Sequence, residues 1–443
     1  MIHPIGPAGP LDVWRRLKKT EAMPVFFGGR AGPFDKPVSS DGNSLGKKGV
    51  LGSGFFRWWP ALVAFNPVEV CQPPAANRQE LEAFVTRHTR AGHLVTCAVS
   101  YHGGEHLMGL EEREGSVDQP PPFTLAAYSG YISFEGGAAC GVGEAAFADQ
   151  AADILARQGP EAGDRADSLG CGMTPAITPE EYREGVALIQ RLILAGNVYQ
   201  VNLTYPWQGR TQQTGRELFA RLLEGYPASC PAYLELPGPT PLELLSFSPE
   251  HFLTVADGRA WTTPIKGTRP RGPDPAQDAA NRQALLDSPK EQAELNMITD
   301  LLRNDLGQVC CPGTLRVDTA RAVQKLPTVW HTHSVVSGRL REDISPLGAL
   351  LAMAPGGSIT GAPKRAAMEI IRRLEARPRG MYTGLIGCFI PGGPMVSSIA
   401  IRTLVLQGGR LSLGVGSGIT LGSDPEAEYQ ETLDKARYFL DRL

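Results

Sequence analysis

Three glutamates fall where they could share a divalent cation. Glu294 lies in the run from Glu291 to Asp305, where Leu295, Ile298, Leu301 and Leu302 recur with helical spacing and form an apolar stripe. Glu294 flanks that stripe, a position from which it can point into a cleft. Glu428 and Glu431 stand three residues apart near the C-terminus and so share one helix face. Carboxylates supply the oxygen ligands that Mg2+ favours, and the ion keeps several waters besides. The same acids would equally make a solvated helix face, with Glu431 and Lys435 as an i,i+4 pair.

A second chemistry is nucleophilic. In Pro264-Ile265-Lys266-Gly267-Thr268-Arg269-Pro270-Arg271-Gly272 the lysine stands between an apolar residue and a glycine, just after a strand-like run. Desolvation would lower its pKa and leave a neutral, nucleophilic amine. A solvated basic turn fits the same residues. Glu250, in Phe247-Ser-Pro-Glu-His-Phe252, suits a general acid or an exposed turn. Arg402 interrupts the apolar run Ser398 to Leu404 and requires an anion, either an internal acid or a ligand carboxylate. His331, in Val329-Trp-His-Thr-His-Ser334, fits a catalyst or a satisfied structural histidine. Two glycine-rich stretches, Pro355 to Lys364 and Gly414 to Gly418, read as loops whose N–H groups can bind carboxylates or phosphates. Neither is a nucleotide loop: Lys364 has the wrong offset for a P-loop, and GxGxG is not the dinucleotide GxGxxG.

These residues need elements to hold them. Thr178-Pro179-Glu180-Glu181 supplies a cap, a proline at the first helical position and first-turn acids, so a helix is predicted from there to Ala195. Val198 to Tyr205 alternates as a strand, and Ala232 to Thr263 is dominated by strands and turns. Further helices are predicted over Pro289 to Asp305, Pro346 to Met353, Ala362 to Arg373 and Asp424 to Leu440. Tyr382 to Phe389, Ser397 to Leu406 and Arg410 to Val415 read as three strands. Before residue 140 the short strands Pro24 to Phe27, Trp58 to Phe65, His93 to Tyr101 and Leu125 to Phe134 stand out. The Ala-, Gly- and Asp-rich stretch from Gly136 to Gly172 reads as a connection. This divides the chain into a β-rich part over 1–140, a connecting segment over 141–176 and a catalytic domain over 177–443. The order of elements is not strictly βαβ, which favours α+β with largely antiparallel sheets.

Composition excludes some classes. The 443 residues are 42% apolar, enough for a large core. A net charge of −3 lacks the basic footprint of a nucleic-acid binder. No apolar run is long enough to cross a bilayer, and the start, Met1-Ile-His-Pro4, does not read as a signal peptide. Eight scattered cysteines without a CxxC pair suit a reducing cytoplasm better than a zinc site.

Taken together, the order and spacing of these segments from Ile177 onward resemble the chorismate-binding enzymes. That family holds component I of anthranilate synthase and of aminodeoxychorismate synthase, and the isochorismate and salicylate synthases. The segments that carry the resemblance are Tyr199 to Thr204, Ser248-Pro-Glu250, Pro264 to Gly272, Ala293 to Asp305, Pro355 to Lys364, Ser398 to Leu404 and Glu426 to Lys435. The resemblance implies large, mostly antiparallel sheets packed as a sandwich with helices outside. The water-using members carry lysine where this chain has Gln200; a neutral glutamine leaves ammonia as the better nucleophile. Anthranilate synthases usually carry alanine where this chain has Lys266, whereas the branch that aminates carbon 4 carries lysine.

The resemblance also implies roles. Mg2+ would sit on Glu294 and Glu431, with Glu428 direct or through water. Lys266 would attack carbon 2 of chorismate, Glu250 would protonate the departing 4-hydroxyl, and ammonia would then displace the lysine. Arg402 and Tyr382, with the N–H groups of Gly416 and Gly418, would hold the enolpyruvyl carboxylate; Ser358 and Thr360 would line the pocket. Thr268 and His331 match further catalytic positions. No Gly-x-Cys-x-Gly glutaminase elbow is present, so ammonia is expected from a separate glutamine amidotransferase subunit. Toward the N-terminus the family pattern persists only loosely, at Ala127 to Glu135. Phe26-Phe-Gly-Gly-Arg30 stands where tryptophan-binding members show a Leu-Glu-Ser-like stretch, which argues against tryptophan binding.

Overall fold

The computed structural model describes residues 2–18, 20–28, 59–74, 77–110, 119–135, 138–157, 170–226, 228–326, 329–375 and 377–443. Trp58 at the start of one expected strand, and Gly29 and Arg30, lie outside the described residues.

Helix starts follow local chemistry. Five helices begin at a Thr, Ser or Asp followed by Pro: Pro179–Leu194, Pro275–Asp287, Pro289–Gly307, Pro346–Met353 and Pro425–Leu440. In each, the cap oxygen accepts an N–H of the first turn: Glu181 to Thr178 at 3.2 Å, Gln277 to Asp274 at 2.9 Å, Glu291 to Ser288 at 3.4 Å, Gly348 to Ser345 at 2.9 Å and Ala427 to Asp424 at 2.8 Å. The proline sits where its missing N–H is no loss. Two of these helices carry the three glutamates.

The strands form two large sheets, and every pairing between them is antiparallel. The first runs Ile2–Pro7, Ala138–Gly143, Gly130–Glu135, Leu62–Ala64, Val25–Phe27, Cys230–Leu236, Leu242–Ser248, Thr403–Gln407, Arg410–Ile419, Gln200–Arg210 and Gly361–Ala362. The second runs Ile265–Pro270, Val329–Arg339, Arg259–Thr262, His251–Ala256, Met395–Ile399, Leu385–Phe389, Leu94–Val99, Phe123–Tyr128 and Glu69–Cys71. Val25, Phe27, Leu234 and Leu244 of the first sheet bury against Ala98, Ala126, Ile386 and Val396 of the second. Each sheet thus takes strands from both ends of the chain.

The expectations need four revisions. The segment read as a connection contains the strand Ala138–Gly143, paired on both edges, and the helix Ala145–Ala156. The glycines of Gly414 to Gly418 are not a loop but the end of the strand Arg410–Ile419, in register with Gln200–Arg210. Glycine is needed there because the chains pass closely: a Cβ on Gly414 would fall into the ring of Tyr382. The expected strand Ser397 to Leu406 is two strands, Met395–Ile399 in one sheet and Thr403–Gln407 in the other. The expected strand at Tyr382 begins only at Leu385. The helices Arg78–Arg90, Tyr101–Leu107, Gly215–Gly225 and Pro275–Asp287 went unrecognised in the sequence.

Arg402 marks the crossing between sheets, and its φ of +50° is one that side-chain-bearing residues seldom adopt. Ser248-Pro249-Glu250 makes the parallel crossing, from Leu242–Ser248 of one sheet to His251–Ala256 of the other. The two corners are tied together: Phe247 N donates to Arg402 O at 3.0 Å, and Ile399 N to Glu250 O at 3.1 Å.

The packing of Gly414 on Tyr382 is testable. Gly414→Ala is expected to lower the unfolding free energy by about 1–3 kcal/mol, the usual cost of overpacking. Gly422→Ala, where nothing lies within 4 Å of an added Cβ, serves as the control. Equal denaturation midpoints for the two variants would contradict this packing.

Candidate functional site

The site lies at the seam where the sheets exchange strands. Glu250 stands at one corner, buried, and accepts a hydrogen bond from Ser358 Oγ at 2.8 Å. Ser358 is held in the single helical turn Gly357–Ile359. Burial raises the Glu250 carboxyl; the Ser358 hydrogen bond and the ammonium groups of Lys266 and Lys435 only partly oppose it. A carboxyl raised in this way holds its proton more readily than an exposed one, as a general acid must.

Lys266 approaches from the second sheet. Gly267, at φ +81°, forms a bulge between Lys266 and Thr268, so Lys266 pairs with Thr332 and Thr268 with His331. Facing it in the first sheet are Gln200 and Gly418. A Cβ on Gly418 would lie 2.7 Å from Gln200 Nε2 and 3.7 Å from Lys266 Nζ, so both polar ends converge over this glycine. Gln200 Nε2 is buried and has no hydrogen-bond partner among the described residues. An amide donor left open in this way is aimed at something the protein itself does not supply.

His331 Nδ1 lies 2.8 Å from Thr268 Oγ1. Burial, and then the charges of Arg402 and His333, hold the imidazole down to about 4 against a hydrogen bond with the Gly267 backbone. His331 is therefore neutral at physiological pH. Thr360 is fully buried, and its hydroxyl donates to Gly356 O at 2.9 Å, so it shapes the turn beside Ser358. Tyr382 packs on Gly414, and burial raises its hydroxyl while Arg379 and Arg402 oppose the shift.

The glutamates meet two lysines. Lys290 Nζ lies 3.9 Å from Glu294 Oε1 and 3.9 Å from Glu428 Oε1, so acids from two helices already face one cation. Glu428 is buried and accepts from Ser423 Oγ at 2.7 Å. Glu431 pairs with Lys435 Nζ at 2.5 Å, and that ammonium also donates to Gly416 O at 2.8 Å. Desolvation tends to raise the Glu431 carboxyl. The ammonium groups of Lys435, Lys266 and Lys290 outweigh it and hold Glu431 below its ordinary value. Burial depresses Lys435 against the pull of Glu431. Among the described residues no three His, Cys, Asp or Glu side chains already converge as metal ligands. The donor set nonetheless fits a hard divalent ion, because it is all carboxylate and already gathers positive charge.

Two participants escaped the sequence reading. Lys290 is i−4 to Glu294, a spacing that was legible. The other is the buried pair of Arg379 and Glu375. Glu375 Oε1 accepts Thr204 N at 3.0 Å, and Arg379 donates to Asn202 O at 2.8 Å and Ile359 O at 2.7 Å. The pair has i,i+4 spacing too, but no local pattern revealed its burial or its distant partners.

Comparisons with known proteins identify the family. The family described as chorismate binding enzyme matches residues 62–441, and the chain belongs to it. The chain is 43% identical over 267 residues to aminodeoxychorismate synthase component 1 of Klebsiella aerogenes, covering 60% of this chain and 58% of that one. It is 44% identical over 266 residues to an anthranilate synthase component 1 of Haloarcula marismortui, covering 60% and 54%. The chain thus spans less than two thirds of the length of either curated relative. The crystal structure of anthranilate synthase component I from Streptococcus pneumoniae superposes with a TM-score of 0.73 at 24% identity, over 85% of this chain and 91% of that one, which shows the fold. Among the described residues no helix is long and apolar enough to cross a membrane.

The depressed His331 has a measurable consequence. In the unfolded chain a histidine titrates near 6.5. As pH falls from there to about 4, the unfolded state takes up a proton that folded His331 refuses, so stability drops across this window. His331→Asn removes that share. The unfolding free energy of the variant, followed by denaturation from pH 7 to 5, is expected to fall less steeply than that of the wild type. Identical slopes would contradict the assignment. The residual slope belongs partly to His251 and His333, which burial also depresses.

Proposed function

We propose that this chain aminates chorismate at carbon 4 to give 4-amino-4-deoxychorismate, using ammonia. The observation that carries the reading is the convergence of the Lys266 ammonium and the unpartnered Gln200 amide over Gly418. In this reading Lys266, its ammonium proton given up to solvent, forms a bond to carbon 2 as the 4-hydroxyl leaves, both double bonds of the ring diene shifting between them. Glu250 gives the proton that lets the hydroxyl depart as water. Ammonia then adds at carbon 4 and the electrons return to expel Lys266, leaving the amine where the hydroxyl stood. A neutral Gln200 offers no base to activate water and so favours ammonia. Arg402, Tyr382 and the backbone around Gly416 and Gly418 bind the enolpyruvyl carboxylate, and Ser358 keeps Glu250 in place.

Glu294, Glu428 and Glu431 would hold Mg2+, which when bound supplies a positive charge to the ring carboxylate. The ammonia source that suits a chain without a glutaminase elbow is a separate glutamine amidotransferase, acting with it in the cytoplasm in the route to 4-aminobenzoate and folate. The similarity to an anthranilate synthase component 1 keeps amination at carbon 2 as the competing reading, with Lys266 against it.

Incubation of the purified chain with chorismate, Mg2+ and ammonium, followed by chromatography, separates the two. The reading expects 4-aminobenzoate only after a 4-amino-4-deoxychorismate lyase is added, and no amination after treatment with EDTA. Anthranilate without the lyase would overturn it in favour of the competing reading.

A further inference from the structure

The substrate-facing arginine has a neighbour with no assigned part in the reaction. Arg402 sits at the sheet crossing with its backbone at φ +50°, and its carbonyl is fixed by Phe247 N at 3.0 Å. Its charge is felt by His331, Tyr382 and Lys435, which places the guanidinium among the groups of the cleft. A half-buried guanidinium in such a place ordinarily pairs with a carboxylate. Among the described residues Arg402 has no ion pair; its one side-chain hydrogen bond runs from Nη1 to the hydroxyl of Tyr226, at 3.2 Å.

Tyr226 is well placed to be rigid. It ends the helix Gly215–Gly225, and its N donates to Leu222 O at 3.1 Å. Its ring packs against Tyr438 at 4.8 Å, Phe439 at 5.3 Å and Phe247 at 6.0 Å between centroids. Phe247 belongs to the strand that leads to Glu250, and Tyr438 and Phe439 to the helix that carries Glu428 and Glu431. The phenol oxygen is therefore fixed by the same elements that build the cleft. A neutral acceptor orients the guanidinium without cancelling its charge, as an acid would. The remaining N–H donors are left for a substrate carboxylate.

We propose that Tyr226 is a positioning residue: its hydroxyl aims Arg402 at the substrate carboxylate while preserving the full positive charge. This rests on the reading of Arg402 as a carboxylate binder, and the test separates the two. Steady-state kinetics with chorismate as the varied substrate and saturating ammonium would be run on Tyr226→Phe, Arg402→Lys and the double variant. Phe keeps the ring and its packing and removes only the oxygen. Loss of one hydrogen bond to a charged group is expected to raise KM about tenfold with kcat within about twofold. The thermal midpoint should be unchanged, and Tyr226→Phe should add nothing further in the Arg402→Lys background. If Arg402→Lys raises KM and Tyr226→Phe does not, the inference is overturned and the arginine reading stands. If neither raises KM, the arginine reading fails and takes the inference with it. A fall in kcat together with a lowered thermal midpoint in Tyr226→Phe would make the residue structural and also overturn the proposal.

Discussion

One buried ion pair holds the walls of the cleft in register. Arg379 and Glu375 are 2% and 4% exposed and pair at 2.7 Å. Such a pair adds little net stability, since desolvation offsets its attraction; its weight lies in the cost of losing one partner. What matters is where the remaining bonds go. Glu375 accepts both N and Oγ1 of Thr204, two pairs along the strand from Gln200. Arg379 donates to Asn202 O, to Ile359 O beside Ser358, and to Thr383 Oγ1 beside Tyr382. Its face lies 4.7 Å from the ring of Tyr101, in the helix that follows Leu94–Val99. Three chain segments distant in sequence, at Tyr101, Asn202 and Ile359, are thereby fixed to one guanidinium together with nearby Thr383, and the segments at Asn202, Ile359 and Thr383 carry or adjoin site residues.

The pair works together with the sheet crossings. At Glu250 and at Arg402 the chain leaves one sheet for the other, so both side chains emerge at the edge of the core rather than inside it. A strand that stayed in its sheet would send these groups into apolar packing or into solvent. The crossing instead leaves Glu250 buried against Ser358 and Arg402 half-buried against Tyr226. Two carboxyls of the cleft are driven apart: burial raises Glu250, whereas neighbouring ammonium groups keep Glu431 low. One is suited to carry a proton and the other to carry charge, a division of labour set by environment alone.

Much of this was legible in residues. Four of the five Ser-, Thr- or Asp-Pro helix starts were, because such a cap acts within one turn and needs no tertiary partner; the fifth, Asp274-Pro275, carries the same signal and was missed. The three glutamates were legible as a set because i,i+3 spacing and an apolar stripe are local features. Arg402 was legible as an anomaly, a charge inside an apolar run that calls for an internal acid or a ligand carboxylate. The structure breaks the strand there and, among the described residues, supplies no internal acid but a tyrosine 176 residues away. The glycines at 414–418 were read as a loop since glycine favours turns. Their real cause is close contact with Tyr382, Thr204 and Gln200, which only strand pairing reveals. The Arg379–Glu375 hub showed only an ordinary i,i+4 charge spacing, because its further partners are backbone carbonyls and hydroxyls that any sequence provides.

The dependence of the cleft on this pair is tested most directly by native-state hydrogen exchange on Glu375→Gln, compared with the wild type. The N–H groups of Asn202, Thr204, Thr360 and Thr383 are all hydrogen-bonded around the hub. The account predicts that they lose protection together in the variant, while the strand His251–Ala256 of the second sheet keeps its own. Loss confined to residues 375–379, with the amides around Gln200, Ser358 and Tyr382 unchanged, would contradict it.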